Sequence, residues 1–292
     1  MIIESLLNMD TKKIALVLSS GGARGIAHLG VIDVLEENGY EITSIIGCSM
    51  GAMVGGMYVA GHHNALKEWL FSLTITRMGL LADTDINTSY IVRGERLIKD
   101  MQKTMPDCSI EDCKIPFTAV ASDVKSEKEV VFRSGSLYEA IRASISIPIF
   151  FKPIQRNNQL LMDGGVLNPF PLNYAQKKED EIILGVNVTS FSNEEYPPHL
   201  NRSENVSKNE KNPFLLTKAK FFIPGAFAHQ EAEAVGQLMI AKNSELMAQL
   251  YRPDIRLDLP ASSYHCFDFF KAQEIYEKGR EMTQNMLKQY FF

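Results

Sequence analysis

The stretch IIGCSMGAMVGGMY, residues 45–58, places one serine between two glycines at the end of an apolar run. Ile45 and Ile46 close a β-type segment, ITSIIG, that breaks at Gly47. The residues that follow, MGAMVGGMYVAG, are small and apolar and read as a helix. Gly47-Cys48-Ser49-Met50-Gly51 therefore stands at a strand-to-helix turn and fits G-x-S-x-G, the pattern in which a serine hydroxyl is lifted out of a sheet as a nucleophile. Glycine on each side lets the two backbones pass closely, and the helix N-terminus lowers the cost of negative charge beside Ser49. Taken alone, the pentapeptide also suits a serine that merely caps the helix.

Working outward, KIALVLS (13–19) is a short run of β-formers. The Gly-rich turn GGARG follows, and IAHLGVIDVLEENG then carries apolar residues at helical spacing and stops at Gly39. Strand, turn and helix occur twice in succession, which reads as right-handed βαβ packing on a parallel sheet. Further strands are expected at 115–123, 129–132, 159–163 and 181–188, with a last one in RPDIRLDLP. Helices are expected at about 94–105, 136–144 and 170–178, in a run ending near Gln249, and at about 269–289. The fold class is α/β, a mostly parallel central sheet flanked by helices in three α/β/α layers. One domain is expected over 1–292, with its motif-bearing core at about 12–190 and a C-terminal elaboration or lid at about 190–292. Residues 190–213 are polar and rich in Pro, Asn and Ser, and read as a long loop. FLLTKAKFFIPGAF (214–227) reads as a lid or membrane-touching edge, or as an element packed on the domain.

Composition narrows the function. Hydrophobic residues make up 45% and charged residues 22% of the 292 residues, an ordinary globular balance. The net charge of −5 and the lack of a basic block argue against a nucleic-acid partner. No apolar run is long enough to span a bilayer, and MIIESLLNMD has neither the basic start nor the cleavage site of a secretory signal. The four cysteines, Cys48, Cys108, Cys113 and Cys266, form no CxxC pair and read as free thiols in a reducing compartment. A cytoplasmic protein is expected, with peripheral contact to the inner membrane surface open. No metal cluster or cofactor motif is evident, and the oligomeric state is not legible.

Two further motifs carry chemistry. Ser20-Gly21-Gly22-Ala23-Arg24-Gly25 follows a strand and opens a helix, so its backbone N–H groups can form a nest for a phosphate or a developing oxyanion. It lacks the GK[ST] ending of a Walker loop and the spacing of G-x-G-x-x-G. Arg24 either fixes this loop, meets an anionic substrate group, or is simply solvated. Asp163-Gly164-Gly165 ends the run QLLMD and is either an exposed carboxylate or a plain turn. The histidines, His28, His62, His63, His199, His229 and His265, sit in no motif that marks a base.

Together and in this order, SGGARG, GCSMG and DGG resemble the motifs of the patatin-like phospholipases. GGARGIAHLGVIDVLEE, IIGCSMGAMVGGMYVAG, ASISIPIFFKPI and LLMDGGVLNPFP are similar to bacterial members, over about residues 12–190. Ser20 departs from the three glycines many members carry in the first motif. The resemblance implies a lipid acyl hydrolase of the phospholipase A, lysophospholipase or esterase kind, working through a Ser49–Asp163 dyad and an acyl-enzyme. The 21–25 loop (Gly21, Gly22, Ala23, Arg24, Gly25) would be the oxyanion hole, without metal or cofactor. An acyl lipid or ester would be the substrate, with Met50, Met53, Phe150 and Phe151 as candidates for an apolar channel. Two alternatives stand beside it: a triad esterase using Ser49, Asp163 and His265, and a non-enzymatic lipid- or partner-binding regulator with the same fold.

Overall fold

The computed structural model describes residues 12–83, 92–191 and 226–291, except for the side chains of 226–233 and Phe291. The expected loop lies outside the described residues from 192 onward, as does most of FLLTKAKFFIPGAF.

Eight strands form one sheet: β1 (Lys13–Leu18), β2 (Glu41–Cys48), β3 (Phe117–Asp123), β4 (Lys128–Phe132), β5 (Ile154–Arg156), β6 (Gln159–Asp163), β7 (Glu181–Ser190) and β8 (Ile255–Pro260). Their order is β5-β6-β3-β2-β1-β7-β8, with β4 on the other edge of β3. The pairs β1–β2, β2–β3, β1–β7 and β7–β8 are parallel, whereas β4, β5 and β6 join antiparallel. Every strand expected from the sequence is present. The short β5 was not legible there, because three residues are too few to display a period.

Eight α-helices are described: α1 (Ala27–Glu37), α2 (Met50–Val59), α3 (His63–Phe71), α4 (Ile75–Leu81), α5 (Glu95–Gln102), α6 (Leu137–Ser144), α7 (Ala226–Tyr251) and α8 (Ala272–Phe291). Side chains alternate across a strand, so β1 feeds both faces of the sheet. Ile14, Leu16 and Leu18 join the large cluster with α1, α2 and α8. Val17 points to the opposite face, into a smaller cluster with Ile46, Phe170, Leu172 and Ala248 of α7. The result is three layers. Among the described residues no helix is long and apolar enough to cross a membrane.

Local chemistry accounts for the elements that matter most. Ser136 caps α6, its hydroxyl accepting the Glu139 N–H at 3.1 Å, as SLYE at its start suggests. The helix expected over 170–178 does not form. Pro169 and Pro171 lack N–H donors, Phe170 and Leu172 are buried beside β7, and 176–180 are exposed without an apolar anchor, so only a 3-10 turn (Leu172–Tyr174) remains. Helices α3 and α4 were not anticipated.

Helices α1 and α8 cross closely enough that their glycines meet backbone. A Cβ on Gly279 would lie 2.1 Å from the Ala27 carbonyl oxygen, and one on Gly30 would lie 2.3 Å from that of Tyr276. Beside this crossing, Asp33 of α1 accepts from His63 Nε2 at 2.6 Å, Lys67 Nζ at 2.7 Å and Tyr276 Oη at 2.5 Å, joining α1, α3 and α8. We expect Gly279→Ala to separate the helices and cost about 1–3 kcal/mol. Urea unfolding would register this as a lower midpoint at unchanged slope.

Candidate active site

Strand β2 ends at Cys48, and Ser49 turns the chain into α2 with φ 54° and ψ −120°. For a non-glycine residue this backbone costs on the order of 1–3 kcal/mol and persists only where its surroundings hold it. Two things hold it. A Cβ on Gly47 would sit 2.4 Å from the Gly51 oxygen, and one on Gly51 would sit 2.3 Å from the Leu18 oxygen, so only glycine lets α2 pass so near β1. The Ser49 N–H also donates to Ser144 Oγ at 2.8 Å, whose hydroxyl in turn donates to the Val120 carbonyl at 2.6 Å. The Ser49 side chain makes no capping bond to α2. Its hydroxyl instead donates to Asp163 Oδ2 at 2.5 Å.

Sheet topology makes that contact. One edge of β3 pairs with β4, leaving the other edge to β2 and β6. Strand β2 pairs with that edge as far as Cys48 opposite Val120, and β6 takes it over with Asp163 opposite Ala121. The ends of two strands far apart in sequence thus meet at neighbouring positions. The end of α6 fills the notch: Ser144 serves Ser49 and Val120, and the Ser146 carbonyl accepts the Asp163 N–H at 2.9 Å. These serines lie in ASISIP, and nothing in their spacing indicated the role.

Ser49 and Asp163 are only 4% and 5% exposed. Burial raises the Asp163 carboxyl to about 6, although the bonds from Ser49 and from the Gly165 N–H, at 2.7 Å, both favour the charged form. Desolvation outweighs them. A carboxylate near 6 is a stronger base than a free aspartate and, in contact with a serine hydroxyl, is placed to accept its proton as the oxygen attacks. The adjoining Cys48 thiol is buried and pushed well up by the same desolvation and by Asp163. Gly164 lies against the Val120 carbonyl and Cys48 Sγ, and Gly165 against the Ser20 hydroxyl.

The 21–25 loop folds as a 3-10 turn (Gly22–Ile26) beside the elbow, with Gly25 against Met50 and Gly21 against Val188. Gly22 has φ +57°, and a Cβ there would lie 2.4 Å from the Cys266 oxygen, so the position accepts only glycine. That oxygen also accepts the Ala23 N–H at 2.8 Å. Arg24 is buried rather than solvated. Its Nη1 donates to the carbonyls of Ala261 at 2.9 Å and Tyr264 at 3.3 Å and to Gln237 Oε1 at 3.4 Å, so it fixes the loop to the C-terminal segment.

The remaining candidates fall elsewhere. His28 is buried with Nε2 on the Ser19 carbonyl at 3.0 Å, and burial lowers it to about 4, so its ring is neutral. His62 stands at the start of α3 without a side-chain capping bond, and His63 pairs with Asp33. His199 and the side chain of His229 lie outside the described residues. His265 Nδ1 accepts from the Phe267 N–H at 3.3 Å, while the hydrogen-bond partners of the Asp163 carboxylate are Ser49 and Gly165. Met53 belongs to the main core, and Phe151 is buried beneath the Arg142 guanidinium. The Phe150 ring lies 4.6 Å from that of Phe267.

With this geometry in view, comparison with known proteins is direct. Residues 16–175, more than half of the chain, match the patatin-like phospholipase family. An uncharacterized NTE family protein of Mycobacterium tuberculosis is 38% identical over 213 residues, covering 73% of this chain and 58% of its own. Lysophospholipase NTE1 of Saccharomyces cerevisiae is 30% identical over 93% of this chain and 16% of its own length. The chain therefore spans little more than half of the mycobacterial relative. VipD from Legionella pneumophila has a solved structure that covers 96% of this chain and 67% of its own, at 13% identity and a TM-score of 0.46. On the match over residues 16–175, the chain belongs to the patatin-like phospholipase family.

Proposed function

We propose that this protein hydrolyses acyl esters of lipids, with Ser49 as nucleophile and Asp163 as its base. The observation that carries the reading is the 2.5 Å contact between the Ser49 hydroxyl and a buried carboxylate, at a turn whose backbone is held out of its relaxed form. Family membership and the similarity to the yeast relative, a lysophospholipase by name, support the substrate class.

In this mechanism Ser49 Oγ attacks the ester carbonyl as its proton passes to Asp163. The tetrahedral oxyanion is received by backbone N–H groups of the 21–25 loop. Because the Ala23 N–H is engaged by Cys266, that task falls to its neighbours. Collapse of the intermediate expels the alcohol, which takes the proton from Asp163, and leaves an acyl-Ser49. Water then attacks with Asp163 again as base, releasing the fatty acid and restoring the serine. Arg24 works here as a brace for the loop.

Three measurements test this reading. Hydrolysis of p-nitrophenyl acyl esters and of a lysophospholipid should fall to background in Ser49→Ala, and by about a hundred- to ten-thousandfold in kcat for Asp163→Asn. Undiminished activity in either variant would end the dyad reading. The base must be ionised, so kcat/KM should fall as pH drops through about 6, approaching tenfold per pH unit below it. A profile flat from pH 5 to 8 would assign the proton elsewhere. Ser144→Ala leaves the Ser49 N–H and the Val120 carbonyl buried without this partner, so it should cost about 1–3 kcal/mol in urea unfolding. Its kcat should fall about tenfold to a hundredfold while KM changes little, because the elbow shifts and the binding surface does not.

A further inference from the structure

Helix α7 is turned the wrong way round for a helix that meets water. Among its described side chains, 234–251, the residues buried against the sheet are small: Ala241, Ser244 and Ala248. The large apolar ones face out, with Val235 55%, Leu238 43%, Met239 59%, Leu246 41% and Leu250 72% exposed. Positions 235, 239, 242, 246 and 250 follow helical spacing and fall on one stripe, with Leu238 and Gln249 along its border and Tyr251 at its end. The only charged residue among the exposed described positions is Lys242. Glu245 is turned aside to Arg256 at 2.6 Å.

We propose that this face of α7 is the surface by which the protein lies on an anionic lipid layer. Three observations favour lipid over other occupants. The stripe pairs a broad apolar band with one cation and no carboxylate, so a symmetric pairing of this face with its copy would set Lys242 against Lys242, whereas anionic headgroups complement it. Lys242 can rest its alkyl stem on the band while its ammonium reaches the headgroups, and Tyr251 suits the polar boundary. The helix also reaches the catalytic edge: Gln237, on its inner side, contacts Arg24 of the 21–25 loop, and Ser244 contacts Thr189 near the end of β7. More exposed apolar side chains stand at that edge, with Ile149 just past the Ser146 carbonyl that holds Asp163, and Val166 and Leu167 just past Gly165. The inference rests on the acyl-hydrolase reading and adds to it the surface on which the substrate is met.

The test is cosedimentation with vesicles of phosphatidylcholine, with and without phosphatidylglycerol, read beside hydrolysis of a short soluble ester. The wild-type protein should pellet with vesicles, and more strongly with the anionic ones. Met239→Glu combined with Leu246→Glu should lower the partition coefficient about tenfold or more, with the rate on the soluble ester unchanged, which also reports that the variant is folded. Lys242→Glu should remove the preference for phosphatidylglycerol. Ser49→Ala should sediment like the wild type, so a failure of the catalytic reading and a failure of docking are read separately. Wild-type protein that stays in the supernatant with both vesicles overturns the proposal, as does a double variant that pellets like the wild type. A dimer in light scattering that the double substitution converts to monomer, without vesicle binding, assigns the face to a second copy and overturns it too.

Discussion

The site depends on a handover along one edge of β3. Strand β2 occupies that edge up to Val120 and then leaves as Ser49 turns into α2; β6 arrives from the other direction and occupies it from Ala121. A strand that stops mid-edge leaves backbone groups without ladder partners, and buried groups of that kind must be satisfied by something else. Here that something is the end of α6. Ser144 accepts from Ser49 and donates to Val120, and the Ser146 carbonyl takes the Asp163 N–H. The same three bonds that repair the sheet also fix the two side chains of the site. Stability and chemistry are therefore tied together at this point.

Burial then decides what the pair can do. An exposed aspartate, near 4, is a poor base at neutral pH. Asp163 accepts two hydrogen bonds that would pull it lower still, yet desolvation moves it the other way, to about 6. In the proposed mechanism, that balance is what would let a carboxylate take the serine proton without an intervening imidazole. It also bears on the six histidines, none of which sits in a motif that marks a base. The proposed base is a carboxylate, and His28, the most deeply buried of the described histidines, is neutral and engaged by the Ser19 carbonyl just past β1.

What was legible in the sequence was local. Strands of five residues or more betrayed themselves by β-formers and bounding glycines, and the elbow did so by a serine between glycines after such a strand. Asp163 could be read from its residues only as a turn or a carboxylate, because its partner lies 114 residues away and the choice is made by pairing on β3. Ser144 and Ser146 were invisible for the same reason: a small polar residue at a helix end has no pattern until the notch it fills exists. The misread helix over 170–178 is the opposite failure. Its apolar residues had helical spacing, but two prolines and an exposed KKED tail left nothing to pack, and the buried Phe170 and Leu172 serve the sheet instead.

The C-terminal region bears on the chemistry although it carries none of the motifs. Strand β8 extends the sheet beside β7, and the segment after it crosses the 21–25 loop. The Cys266 carbonyl sits where any side chain on Gly22 would have to be, and it takes the Ala23 N–H. Arg24, buried, ties the loop to Ala261, Tyr264 and Gln237 of α7. The loop's own sequence, rich in glycine, permits many shapes and selects none. Selection comes from these contacts, so the orientation of the N–H groups that would receive an oxyanion is set by residues some 240 positions downstream. A glycine-rich loop braced from outside keeps close approach to a substrate, which side chains would block, while losing the freedom that would make its donors useless in the reaction.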